Sequence, residues 1–170
     1  MFSWASVSSA RFRLGHIGAC ALLLVPLACG SSDDGDGPGT MGGNDAYASE
    51  RQACVDRING FRASLGLPPL MRWTEQEACT DSQAASDSQT GDAHGEFGMC
   101  KEAAQNECPG WGSVEDTIQN CLQSMWDEGP GEPYSEHGHY INMSSPDYSK
   151  VACGFHETAD GKVWAIQNFR

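Results

Sequence analysis

The chain has 170 residues and carries 23 Asp plus Glu against 10 Lys plus Arg, a formal net charge of −13. A surface of that sign repels nucleic acid and anionic lipid headgroups. Residues 1–45 differ in composition from the remainder, which leaves about 125 residues, enough for one domain around one core and too few for several.

The stretch RFRLGHIGACALLLVPLAC at 11–29 places two arginines before an apolar run that ends in small residues. That is the order of a secretory signal. The run is too short and too weakly flanked for a transmembrane span. Cys29, after Leu27 and Ala28, stands where a bacterial lipoprotein signal has its acylated cysteine, although Pro26 occupies a position usually held by Leu, Val or Ile. Ile17-Gly18-Ala19-Cys20 matches the local pattern too, but almost no apolar stretch precedes it. The expectation is a signal peptide over 1–28 and a lipid on Cys29, with nearby cleavage and a soluble product as the alternative. Without 1–28, eight basic side chains remain against 23 acidic ones, a net charge of −15. Residues 30–44, GSSDDGDGPGTMGGN, are mostly Gly, Ser and Asp and read as a tether.

From residue 46 helical spacing begins. Cys54, Ile58, Phe61 and Leu65 recur at steps of four, three and four before Gly66, Pro68 and Pro69, which predicts a helix over 47–65. Thr74 and Glu77 form a capping-box pattern for a second helix ending near Gln89. The stretch 90–112 is rich in glycine and reads as a long irregular segment, a frequent location for function. Ser113 and Asp116 then cap a third helix, with Val114, Ile118, Cys121, Leu122 and Met125 on one face and Gly129-Pro130 as its stop. Tyr140–Met143, Val151–His156 and Val163–Phe169 read as strands, the last two joined as a hairpin at Asp160-Gly161. Helices followed by an antiparallel sheet give an α+β layered domain.

Six of the eight cysteines, Cys54, Cys79, Cys100, Cys108, Cys121 and Cys153, fall in this domain. An even number in an exported chain predicts three disulfides, and the absence of any C-x-x-C pair argues against a zinc cluster. Cys100 and Cys108 are close within one irregular segment and are expected to close it. His137 and His139 would share a face if their segment were a strand. Two imidazoles alone make no metal site, so a third ligand must come from elsewhere, and His94 and Glu128 are the candidates.

HGHYINM with VACGF resembles the GHYTQ and GCG motifs of the CAP superfamily, the cysteine-rich secretory, antigen 5 and pathogenesis-related proteins, also called the SCP domain. CVDRINGFRASLGLPPLMRW, with Asn59 and Arg62 as an N-x-x-R pair, is similar to the family's first helix and the turn after it, and WAIQNF to its last strand. The likeness spans 50–170 and implies a three-layer α-β-α sandwich over 46–170 with a cleft of two histidines and two acidic residues. By motif, His139 matches one histidine and His94 the other; Glu128 stands for one acid, and Gln105 for the second, in Ala104-Gln105-Asn106. His137 matches no ligand of that family. The layering implies Cys54 with Cys121 and leaves Cys79 with Cys153. Gln105 cannot act as a base or charge a cation. His94, His139 and Glu128 still meet the count for a divalent ion such as zinc or magnesium. The expected function is an extracellular, lipid-anchored binding module for a cation, a lipid-like molecule or a protein partner; the alternatives are a metal-assisted, peptidase-like hydrolase using the same cleft and a surface protein of purely structural use.

Overall fold

The computed structural model describes residues 45–170, so the signal, the tether and Cys29 lie outside the described residues. The chain runs α1 (Ala48–Ser64), β1 (Met71–Arg72), a 3-10 turn (Thr74–Gln76), α2 (Glu77–Thr90) and β2 (Ala104–Trp111). It continues through α3 (Val114–Asp116), a π-helical segment (Thr117–Cys121), α4 (Leu122–Asp127), α5 (Tyr134–Ser144), β3 (Lys150–Glu157) and β4 (Val163–Phe169). The strands form one sheet in the order β1-β3-β4-β2, antiparallel except for the short parallel pairing of β1 with β3.

Strand alternation sorts the sheet into two unlike faces. Val151, Cys153 and Phe155 of β3, Val163, Ala165 and Phe169 of β4, and Ala104 and Cys108 of β2 join one apolar core with Cys54, Val55, Ile58 and Phe61 of α1 and Leu122 and Met125 of α4. The opposite face meets α2 and is polar: Gln105 donates to Asn168 Oδ1 (3.0 Å), and Asn168 donates to Thr80 Oγ1 (3.1 Å) and Gln83 Oε1 (2.6 Å). Helices on both faces make the α-β-α sandwich.

Gly154, on the α2 side, lets helix and strand touch: a Cβ there would stand 2.5 Å from the Thr80 carbonyl carbon and 2.6 Å from the Asp81 nitrogen. The N-x-x-R pair has a structural use. Asn59 donates to the Leu70 carbonyl (2.9 Å) and accepts from its N–H (2.7 Å), while fully buried Arg62 donates Nη1 to the carbonyls of Met143 and Ser145, both at 2.8 Å. Those are carbonyls at the C-terminus of α5, where a cation is favoured.

Several expectations need correction. Tyr140–Met143 is not a strand but part of α5; Asn142 and Met143 are both buried although adjacent, as happens on a helix wedged between neighbours. The segment 90–112 contains β2, hidden in the sequence by Pro109 and Gly110 at an irregularity between Cys108 and Trp111, and by Gln105 and Glu107 facing the polar network. Thr74 opens a 3-10 turn instead of capping, and Glu77 pairs with Arg72 (2.5 Å). Ser113 does cap, accepting from the Asp116 N–H at 3.0 Å.

All three disulfides differ from those expected: the bridges are Cys54–Cys153, Cys79–Cys100 and Cys108–Cys121. The sheet explains each. Cys108 and Cys153 both point to the apolar face, where Cys121 and Cys54 lie, whereas Cys100 lies beside Cys79 of α2. A Cys100–Cys108 bridge would have to cross β2.

Candidate functional site

β2 is an edge strand, and α5 covers that edge. Asn142 donates to Asn106 Oδ1 (2.9 Å) and to the Gln105 carbonyl (3.3 Å), and Asn106 donates to the His139 carbonyl (3.1 Å). These bonds fix α5 one layer away from the loop that carries His94. His94 and His139 thereby line one cavity of about 200 Å³ together with Gln105, Tyr134, Ser135 and Asn142.

Each imidazole is oriented through Nδ1. Glu128, at the end of α4, receives the His139 ring at 2.5 Å and accepts from the backbone N–H groups of His139 (3.1 Å) and Tyr140 (3.4 Å). Gln105 Oε1 receives the His94 ring at 2.8 Å. In a neutral ring, an acceptor at Nδ1 puts the proton on that nitrogen and leaves the lone pair on Nε2. His94 has a left-handed backbone, φ 64°, held because its N–H donates to Glu107 Oε2 at 2.6 Å. His137 stands apart: its Nδ1 donates to the carbonyls of Glu128 (2.8 Å) and Gly129 (3.0 Å), closing the α4 C-terminus, and its ring covers Gly131. It is a helix-capping side chain on α5, and does not share a strand face with His139.

Glu128 is thus committed to His139 and does not line the cavity that His94 and His139 share. Among the described residues no group of three or more His, Cys, Asp or Glu is placed to hold a metal ion. Two imidazoles and the amides of Gln105 and Asn142 do not match the three protein ligands of a catalytic zinc. The donor set does not fit the expected ion.

The acidic chemistry missing from Gln105 recurs two residues on, on the same strand face. Glu107, fully buried, lies against Asp87 of α2; burial, with Asp87 and Asp92 close by, pushes its carboxyl up to about 7 although the His94 N–H opposes this. Burial likewise raises Asp87, whose Oδ1 accepts from the Glu96 N–H at 3.2 Å. The pair sits behind the His94 turn and braces it. Sequence reasoning missed Glu107 because β2 was read as loop. Its signal was the spacing of Gln105 and Glu107, which a strand puts on one face.

A second cavity of about 520 Å³ continues from the first, sharing His94, Gln105, Tyr134 and Asn142 and adding Phe97, Ile141, Asp147 and Tyr148. Tyr140 belongs to neither: it packs on Trp126, which stacks on Phe61 at 4.9 Å between ring centroids. Trp126 is therefore a packing residue.

A four-stranded sheet between helices, bridged by three disulfides and bearing two inward-facing histidines at one edge, defines a CAP-type domain. The chain belongs to the Cysteine-rich secretory protein family, whose model matches residues 55–169. Among solved structures it is similar to Na-ASP-1 (14% identity, TM-score 0.55, covering 80% of this chain and 43% of that one). It is also similar to NaASP2, solved with Zn2+ (12% identity, TM-score 0.54, covering 72% of this chain and 79% of that one). At such identities the likeness is one of fold, and the chain spans less than half of Na-ASP-1. No protein of curated function matches it in sequence.

Proposed function

We propose that the chain is an extracellular binding module, anchored through a lipid on Cys29, that takes its ligand in the two-chambered cleft between the His94 turn and α5. The observation that carries this is the cleft's chemistry: a polar inner chamber whose groups are bonded to one another opens into a larger chamber with three aromatic side chains. Chambers of this size and lining suit a small ligand or an inserted side chain. NaASP2 was solved with zinc; here the Gln105 amide and the engagement of Glu128 by His139 leave weak two-imidazole coordination as the most a divalent ion would find.

The hydrolase reading retains one supporting observation, the His139–Glu128 pair, which leaves His139 Nε2 free as a base. Two measurements on the purified chain separate the readings. Small apolar probes followed by amide chemical shifts are expected to move His94, Tyr134 and Asn142, and peptide and ester substrates are expected to stay intact. Shifts elsewhere, with turnover abolished by His139→Ala, would replace the binding reading by the catalytic one. Anchoring is checked separately: detergent partitioning is expected to be lost in Cys29→Ser, and an unacylated mature N-terminus at another position would refute it.

A further inference from the structure

The outer chamber has a composition that the inner one lacks. Phe97 comes from the loop that Cys79–Cys100 ties to α2, Tyr134 from the first turn of α5, and Tyr148 from the segment after it. Two of the rings are held in place: Tyr134 Oη donates to Asn142 Oδ1 at 3.2 Å, and Tyr148 packs on Phe169 at 5.9 Å between centroids. Yet Phe97 and Tyr134 are 51% and 55% exposed. Large aromatics so exposed and gathered around one cavity mark a contact surface.

Charge narrows the ligand. Among the described residues, Asp147 is the one acidic side chain lining this chamber, and no lysine or arginine lines either chamber. Burial, more than the nearby Tyr134 and Asp147, raises the Tyr148 hydroxyl above its usual value, so the negative sign of the chamber rests on Asp147 itself. The whole chain reinforces it, with a net charge of −13. An anion would find nothing to neutralise it. A hard divalent ion would have to shed water for aromatic carbon. A weakly hydrated organic cation would gain from the ring faces and from the carboxylate together.

We propose that the outer chamber binds an organic ammonium group carrying an apolar body, with Phe97, Tyr134 and Tyr148 around the cation, Asp147 as its counter-charge, and Ile141 against the apolar part. This rests on the binding-module reading and specifies its ligand class. The ammonium could belong to a free amine or to a basic side chain of a partner protein; both present the same chemistry.

The probe is benzyltrimethylammonium, titrated into the full chain while amide shifts are followed, with benzyl alcohol and phenylacetate as neutral and anionic counterparts. The cation is expected to bind at least about tenfold more tightly than either, and to weaken as salt is raised. Asp147→Asn and Tyr134→Leu, both at exposed positions, should each weaken it about three- to tenfold. The leucine keeps apolar bulk while removing the ring face and the bond to Asn142, so an unchanged amide spectrum of the free variant is required first. If benzyl alcohol or phenylacetate shifts Tyr134 and Asn142 as strongly as the cation, the cleft reading stands and the cation assignment is overturned. If none of the three perturbs the chamber, both fall. Silent Asp147→Asn and Tyr134→Leu variants would also overturn the assignment. Phenethylamine and an acetylated Gly-Lys-Gly amide distinguish the sources: tighter binding of the first supports a free amine, of the second a protein side chain.

Discussion

At the scale of single residues, the site is organised by which hydrogen each group holds. Gln105 shows this: its oxygen receives the His94 ring while its nitrogen donates to Asn168, so the amide joins two partners of opposite need. A carboxylate there would face the Asn168 oxygen with no donor to offer. Glu107, beside it on the same face, carries the carboxyl instead, and burial raises that carboxyl to about 7. The sign of the resulting stability change follows from linkage. Between the unfolded value near 4.5 and the folded value near 7, the folded chain binds more protons than the unfolded one, so this group lowers stability as pH rises and its cost is complete above 7. The change is on the order of 3 kcal/mol at most. Glu107→Gln copies the protonated state, with an oxygen for the His94 N–H and a donor for Asp87. Thermal unfolding should show the variant equal to wild type at pH 5 and more stable at pH 8, by about 1–3 kcal/mol. A variant less stable than wild type at pH 8 would mean that the fold stabilises the Glu107 carboxylate and that burial does not raise its carboxyl.

Elements show why some of this architecture could be read in the sequence and some could not. α1 and the hairpin of β3 and β4 were legible because one face of each is apolar and their ends carry Gly, Pro or Asp-Gly. β2 and α5 were not, since their patterns answer to partners distant in sequence: β2 presents Gln105 and Glu107 to α2, and α5 buries Asn142 against β2. The site was legible to the same degree. His139 could be named because a short motif surrounds it, and His94 from its order in the sequence, but the use of Glu128 as the holder of His139, and of His137 as a helix cap, follows from α5 being a helix. The VACGF motif sums up the layering: Cys153 bridges to α1 on one face while Gly154 admits α2 on the other. Gly154→Ala sets a methyl against backbone atoms of Thr80 and Asp81 that cannot turn aside. It should cost about 1–3 kcal/mol or more, read as a lower urea midpoint with an unchanged slope. An unchanged midpoint would show that α2 sits farther from the sheet than described.

For the molecule as a whole, the disulfides decide which parts stay together when the apolar core loosens. Cys54–Cys153 joins residues 99 apart and ties α1 to the centre of the sheet. Cys79–Cys100 spans 21 residues and ties the Phe97 loop to α2, and Cys108–Cys121 spans 13 and ties β2 to the π-helical segment. Loop-closure entropy in the unfolded chain gives about 4.7 kcal/mol for a loop near 100 residues and about 3 kcal/mol for one near 15. Replacing each pair by alanines should therefore lower stability most for Cys54 with Cys153, where two side chains with no exposure would also leave a cavity. The Cys79 and Cys100 pair should behave differently. Its loss costs less in global unfolding but releases the loop that carries Phe97 and His94, so the cleft should lose ligand affinity before the domain loses its fold. The check is to measure urea midpoints and probe binding on the three double variants together. The expected order is the 54–153 pair as the most destabilised and the 79–100 pair as the weakest binder that remains folded. Equal loss of binding in all three, tracking stability alone, would show that the loop is held by its hydrogen bonds to Gln83 and Glu102 and not by the bridge.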